Sequence, residues 1–326
     1  MSHGVRRILL ESAGTFVAEE RLGAELGSGR SALGEVLDRL REEGYEMESC
    51  ESRGVRLLAA PDLLNPKEVE ASLSGARIGR RILYRREVAS TSDEVRELAD
   101  AGEEEGTVVV ADRQTHGRGR GAHSWHSLSH RGLWLSILLR PPVETRTLGR
   151  VTCTAGVAVV EGLRREWDLP ALIKWPNDVW IRERKVAGIL TEMRSAGRRP
   201  GAVVLGLGLN VNHGRDEFPG DIRETATSMR LETGKPLPRT EILAGLLASI
   251  GTWYAKLLAG DIVSIEERFR EWSLVLGRTV RLRIGGEVAE GRVRDLSCAD
   301  GVTLELPGGG VRNFRSEHIS LVELTD

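Results

Sequence analysis

Four short runs hold the side chains whose types and spacing suit chemistry: Ser90-Thr91-Ser92, Gly117-Arg118-Gly119-Arg120, Lys174-Trp175-Pro176-Asn177-Asp178 and Lys185-Val186-Ala187-Gly188-Ile189-Leu190. Each sets cations or backbone donors where glycine or a tight turn lets the main chain approach a ligand closely. Such a set suits a site that handles a carboxylate together with a nucleotide phosphate. The Gly-Arg run follows Gln114-Thr115-His116, and its alternate glycines let amides point at an anion while two guanidiniums fork onto its oxygens. No G-K-[ST] follows and the spacing is not G-x-G-x-x-G, so it is neither a P-loop nor a dinucleotide fingerprint. Standing alone, it would also fit an exposed Arg-Gly loop or an RGG-like nucleic-acid contact.

The lysines are few, five of the 46 cationic residues, yet Lys174 and Lys185 lie eleven residues apart in one hairpin-like unit. Lys174 would serve structurally by pairing with Asp178 across the turn. A point charge on a flexible stem at Lys185 suits an oxygen that moves during phosphoryl displacement. Ser90-Thr91-Ser92 precedes a helical pattern and also reads as an N-cap. The strand-like run Gly206-Leu207-Gly208-Leu209-Asn210-Val211-Asn212 carries glycines where a side chain would block a neighbour. His116, His123, His126 and His130 crowd one loop, but two arginines there would repel a dication and no cysteine or acid joins them, so no metal site is expected.

The elements that must position these runs fall between about residues 79 and 272. Helical patterns at 93–101 and 151–166, and strands at 107–111, 133–139, 171–175, 179–181, 186–193 and 202–212, describe an α/β domain. The later strands follow one another closely, which favours a mixed, largely antiparallel sheet over a doubly wound parallel one. Strand 133–139 alternates about Trp134, Ser136 and Leu138, and two helices, 239–259 and 262–273, close the domain. Ahead of it, residues 1–60 read as three helices and a hairpin whose tip is Glu51-Ser52-Arg53, the build of a winged helix-turn-helix. A connector, 61–78, contains a helix-like stretch at 66–74. The tail from 273 to 326 shows short strands separated by glycine turns.

The 326 residues, 40% hydrophobic, suffice for two or three domains. A net charge of -2 gives no global attraction to nucleic acid or anionic membrane. Residues 1–60 hold eight Arg against eleven Asp or Glu, so any DNA contact would rest on a local patch at Arg30, Arg39 and Arg53. Cys50, Cys153 and Cys298 lack C-x-x-C spacing and read as reduced thiols. No apolar run approaches a membrane span, and a cytoplasmic protein is expected.

The order and spacing of the four runs resemble those of biotin protein ligases, and the likeness spans nearly the whole chain, as in the bifunctional type that also represses the biotin operon. The resemblance implies an α+β fold: a winged helix-turn-helix (1–60), a linker (61–78), a class II synthetase-like biotin/lipoate ligase catalytic domain with a mixed, mostly antiparallel sheet (79–272) and a small SH3-like β-barrel (273–326). It implies that biotin and MgATP form biotinyl-5′-AMP, which acylates a lysine of a biotin carboxyl carrier protein, the acetyl-CoA carboxylase subunit or that of another biotin-dependent carboxylase. It further implies operator DNA as a partner and a ligand-promoted homodimer. Carried over, Ser90, Thr91, Ser92, Gln114, Gly117, Arg118, Gly119, Arg120, Lys185 and Gly188 meet biotin. Arg118, Arg120, Lys174, Trp175, Asn177, Lys185 and Asn210 meet the nucleotide, with Arg120, Lys185 and Asp178 catalytic. Asp178, placed on the turn at the far end of the hairpin from Lys185, is expected to orient the acceptor lysine.

The sequence departs from the family pattern at Ser92, where asparagine is common, at Gly121-Ala122-His123-Ser124, which lacks a further basic stretch, and near Gly34-Glu35, where a basic or aromatic residue is usual. With few apolar anchors, the loop 116–124 is expected to owe its order to a bound anion. Two other readings share these features: a biotin-sensing regulator without turnover, and a lipoate or octanoate ligase, whose sequences lack the Lys-Trp-Pro-Asn-Asp run.

Overall fold

The computed structural model describes residues 2–27, 30–42, 44–60, 62–121, 123–195, 200–284, 287–315 and 319–325. The chain divides into two units, Met1–Leu63 and Leu64–Asp326. In the first, α1 (Ser2–Glu11), β1 (Phe16–Val17), α2 (Glu19–Leu26), α3 (Arg30–Glu42), β2 (Glu46–Cys50) and β3 (Gly54–Ala59) follow in order. Helically spaced Val5 and Leu9, Leu22, and Leu33, Leu37 and Leu40 close one core with Val55 and Leu57 of the hairpin. Gly27, at φ 63, ends α2 in the left-handed conformation that favours glycine. The strands pair antiparallel in the order β1-β3-β2. Two-residue β1 is too short to leave a periodic signal.

The second unit begins with α4 (Pro66–Ser72), β4 (Arg81–Val88), α5 (Thr91–Asp100), β5 (Thr107–Gln114), β6 (Gly132–Leu139), α6 (Gly149–Trp167), β7 (Ala171–Lys174), β8 (Asp178–Ile181), β9 (Arg184–Ser195) and β10 (Pro200–Asn210). It continues with α7 (Met229–Thr233), α8 (Arg239–Leu258), α9 (Ile262–Glu271), β11 (Thr279–Ile284), β12 (Glu287–Ser297), β13 (Gly301–Glu305), β14 (Val311–Phe314) and β15 (Ile319–Leu324). Strands β4 to β10 form one mixed sheet in the order β4-β5-β6-β10-β9-β8-β7. The β4–β5 pair is parallel, crossing over through α5, and the others are antiparallel.

The helix-like stretch expected within the connector is α4, and it packs onto the second unit. Leu64, Val69, Leu73 and Ile78 are buried in the main core of the second unit, because α4 presents an apolar face to it. Strand β6 does not alternate between core and solvent: all eight of its residues are buried. Leu133, Leu135, Ile137 and Leu139 join α6 and α8 in the main core, while Leu138 lies under α5 with Val109 and Val204. A central strand covered on both faces needs no exposed polar register.

Strands β11 to β15 form a five-stranded antiparallel sheet, β14-β13-β12-β11-β15, whose Val280, Leu282, Val293 and Leu304 belong to that same core. Cys153 of α6 and Cys298 beyond β12 are buried neighbours, and burial first, then the adjacent thiol, pushes Cys153 well above the ordinary thiol range. No helix among the described residues is long and apolar enough to cross a membrane.

Candidate functional site

The sheet face shared with α5 changes character along its length. On β10, alternate residues Ala202 and Val204 pack under α5, and the next two, Gly206 and Gly208, floor a cavity of about 440 Å³. On β9 the matching positions are Leu190 and Gly188, paired with Gly206 and Gly208. Period-2 alternation thus continues, but glycine replaces the apolar side chain where a ligand needs room. A Cβ on Gly208 would lie 2.4 Å from the Trp125 indole, and one on Gly188 2.6 Å from it. These two glycines let Trp125 lie flat over the sheet as the cavity wall.

One end of the cavity is a polar cluster. Thr91 donates its N–H to Gln114 Oε1 at 2.9 Å, and the Thr91 hydroxyl lies 3.1 Å from the same oxygen. Fully buried Ser136 joins the Thr91 and Ser92 hydroxyls at 2.8 and 3.0 Å. Gln114 Nε2 donates to Ser127 Oγ at 3.1 Å. Ser90 caps α5 through its backbone without a side-chain capping bond and lines the cavity beside the Thr91 and Ser92 hydroxyls. Ser136 was not singled out from the sequence, although it is the one polar side chain within an otherwise apolar strand.

Cations line the rest of the cavity. Among the described lining residues Arg118, Arg120, Lys174 and Lys185 are cationic and Asp178 alone is acidic, so the cavity favours an anion. Arg120 donates to Asn177 Oδ1 at 3.4 Å and to the Ile319 carbonyl at 3.1 Å. Ile319 and Val322 of β15 line the cavity as well, a contribution from the tail that no local motif announces. Asn177 is fixed by reciprocal bonds to Ile189, its Nδ2 to the carbonyl at 2.8 Å and its carbonyl from the amide at 2.9 Å. Trp175 precedes a cis proline and lines the cavity while buried.

The geometry corrects two expectations about the lysine hairpin. Lys174 stacks its Nζ 3.9 Å from the Trp180 ring centroid, and burial holds its ammonium below the usual lysine range despite nearby Asp178. Asp178 instead pairs with Lys185, Nζ to Oδ1 2.8 Å, with Lys185 Nζ also 5.2 Å from the Trp125 ring centroid. The two are therefore neighbours and not at opposite ends of the hairpin, because β8 and β9 pair with a bulge between Val179 and Trp180 that brings Lys185 alongside.

Two other assignments shift. Asn210 does not line the cavity: it is buried and donates to the Thr227 carbonyl at 3.0 Å. The segment 225–227 that it holds brackets the Lys185 backbone with bonds of 2.7 and 2.8 Å. Ile222 and Thr225 of that region reach the cavity directly. Gly117 also lies outside the lining, packed so that a Cβ would meet the Trp125 carbonyl at 2.6 Å. Within the Gly-Arg loop, Gly119 N–H donates to the His123 carbonyl and Trp125 N–H to the Gly117 carbonyl, each at 2.8 Å. Arg30, Arg39 and Arg53 belong to the first unit; the Arg30 side chain lies outside the described residues, Arg39 is exposed, and Arg53 stacks 4.1 Å from the Phe16 centroid.

Trp125, Trp134, His213 and Phe218 form an aromatic series leading away from the cavity, with centroid separations of 6.2, 5.7 and 4.9 Å. His213 is fully buried and neither ring nitrogen has a hydrogen-bond partner among the described residues. Burial holds it down at about 4, Glu217 opposing and His126 and Arg131 assisting. An unfolded histidine titrates near 6.5. The depressed value means that His213 contributes stability above about pH 6.5 that is lost as pH falls toward 4, since the unfolded chain takes up the proton first. Replacing it by leucine should remove about one proton of uptake on unfolding near pH 5, measured from the pH slope of urea-unfolding free energies. An unaltered slope would show that His213 does not titrate this way. No group of three His, Cys, Asp or Glu side chains able to hold a metal occurs among the described residues.

Residues 86–210 match the Biotin/lipoate A/B protein ligase family. The bifunctional ligase/repressor BirA of Bacillus subtilis is 32% identical over 314 residues, covering 96% of each chain. The Escherichia coli protein of that name is 26% identical, covering 96% of this chain and 97% of its own. Among solved structures, the biotin protein ligase of Aquifex aeolicus in complex with biotin and ATP superposes with a TM-score of 0.65 at 31% identity, over 76% of this chain and all of that one.

Proposed function

Because this chain belongs to the biotin protein ligase family, we propose that its cavity joins biotin to ATP and then transfers the biotinyl group to a lysine of a biotin carboxyl carrier protein. The observation that carries this reading is the division of one cavity into a hydroxyl and amide cluster at Thr91, Ser92, Gln114 and Ser136 and a cationic end at Arg120, Lys174 and Lys185. The first end suits the ureido ring of biotin and the second suits its carboxylate beside the α-phosphate. The carboxylate attacks the α-phosphorus, pyrophosphate leaves, and the acceptor amine then attacks the acyl carbon and releases AMP. No enzyme nucleophile is needed; positioning and charge stabilisation carry both steps.

Lys185, already beside Asp178, is the cation placed to follow oxygens whose charge grows during displacement. Magnesium arrives with ATP. Its phosphates would supply most ligands and Asp178 is the one carboxylate among the described lining residues, which fits a cation held largely by substrate. Residues 1–63 we read as a winged helix-turn-helix, 64–272 as the catalytic part and 273–326 as an SH3-like barrel that completes the nucleotide end through Ile319 and Val322. The cellular setting is the cytoplasm, and the repressor form is a ligand-promoted homodimer.

Incubating the purified protein with MgATP, labelled biotin and a carrier-protein fragment tests the reading. Labelled carrier with AMP release is expected. Adenylate or simple biotin binding without transfer would leave a sensing regulator, and preference for lipoate would reassign the substrate.

For the repressor role, the acidic first unit sets a quantitative expectation. Operator binding should be steeply salt-dependent, fall when Arg39 or Arg53 is replaced, and vanish without residues 1–63 while ligation persists. Tight binding to random duplex at physiological salt, measured by fluorescence anisotropy, would overturn that expectation.

A further inference from the structure

Arg118 is held by carboxylates that none of the four runs contains. Its Nη2 lies 2.9 Å from Asp93 Oδ1 and 3.4 Å from Glu192 Oε2. Arg96 binds the same two acids, Nη1 to Asp93 at 2.8 Å and Nη2 to the two Glu192 oxygens at 3.0 and 3.1 Å, so two guanidiniums and two carboxylates alternate around a closed square. Asp93 stands in the first turn of α5, directly after Ser92, and Glu192 lies on β9 two residues beyond Leu190. All four side chains are partly exposed, between 27 and 42%, so each contact alone is weak and the closed arrangement is what gives it geometric meaning. Only Nη2 of Arg118 is engaged; Nε and Nη1 make no hydrogen bond among the described residues.

We propose that Asp93 and Glu192 are positioning residues that hold one edge of the Arg118 guanidinium and so present its remaining donors to the anion in the cavity. The proposal rests on the reading of the cavity as a biotin site. A long arginine side chain gives up much rotamer freedom when it binds an anion, and two fixed carboxylates remove that loss beforehand. Opposed acids also keep a loop rich in glycine from carrying the cation out into solvent. Arg96 keeps the two carboxylates apart from each other's charge and from any need to move with the ligand.

The double variant Asp93→Asn/Glu192→Gln tests this. Biotin KM in the adenylation assay should rise roughly five- to tenfold with kcat and ATP KM changed less than about twofold. Asp93→Glu, which keeps the charge, should recover much of the affinity. Without ligand, trypsin should cut after Arg118 faster in the double variant than in the wild type.

A lower biotin KM in the double variant would overturn the proposal and show that the acids compete for Arg118. Unchanged KM, or equal losses in kcat and KM with a lowered Tm, would also overturn it. If the wild type neither binds biotin nor forms the adenylate, the functional reading fails, and the trypsin comparison still decides whether the two carboxylates hold Arg118.

Discussion

Lys185→Ala is expected to slow formation of the biotinyl-adenylate by about 10²- to 10³-fold, the loss that follows removal of one preorganised charge from a displacement. The cation strengthens its contact as charge builds on the reacting oxygens, so kcat should fall while biotin binding changes little. The Lys185–Asp178 pair modifies what to expect of the acid. Asp178→Asn leaves Lys185 without the carboxylate 2.8 Å away that orients it, so adenylation should slow as well as transfer. Transfer from preformed adenylate should slow more, because the acceptor amine must lose a proton that a nearby carboxylate can take. Single-turnover measurement of both half-reactions checks this. Equal losses in both steps for both variants would reduce the pair to a shared binding contact.

Arg239→Met should be the most destabilising single change in the second unit, at about 3–5 kcal/mol. Arg239 is fully buried at the start of α8; its Nη1 donates to Asp112 Oδ1 at 2.8 Å and to the Gly132 carbonyl at 3.0 Å. Asp112 is itself 1% exposed, and His130 Nδ1 meets its other oxygen at 2.8 Å. Burial would raise this carboxyl, but the adjacent His130 imidazole and the charge and hydrogen bond of Arg239 outweigh it and hold Asp112 below the usual range. A methionine leaves that charge buried without its main partner. Thermal unfolding should show a fall in Tm of roughly ten degrees.

Because the folded carboxyl is depressed, the pair contributes fully above the unfolded value near pH 3.9 and is lost as pH falls through the lower folded value. The double variant Asp112→Asn/Arg239→Met should therefore be less destabilised than the sum of the singles, and additive losses would show that the two do not act together. Asp112 lies two residues before Gln114, and its carbonyl accepts from Trp134 Nε1 at 3.2 Å, so the pair also anchors the strand end that carries the polar cluster.

Short local signals set much of this protein before any fold exists. Glycine beside arginine, a lysine before Trp-Pro-Asn-Asp and a lysine before Val-Ala-Gly named the four cations of the cavity lining, because each sits in a short run whose turn or glycine is itself visible in the sequence. Helical and strand periods likewise foretold α3, α6 and α8 and the closely spaced antiparallel strands, since burial of one face writes itself into every third or second residue.

What the tertiary structure alone decided concerns pairs distant in sequence. Ser136 reaches Thr91 across 45 residues, Arg118 reaches Glu192 across 74, and Arg120 reaches the Ile319 carbonyl across 199. The partner of Lys185 likewise depended on a bulge between paired strands, and Asn210 turned away from the cavity because Thr227 offered its amide a buried acceptor. Composition and spacing record what a residue can do within a few turns of its own element. Which charge it meets is set by sheet register and by the packing of elements onto one another, and those follow from the summed burial of the whole core and not from any local run.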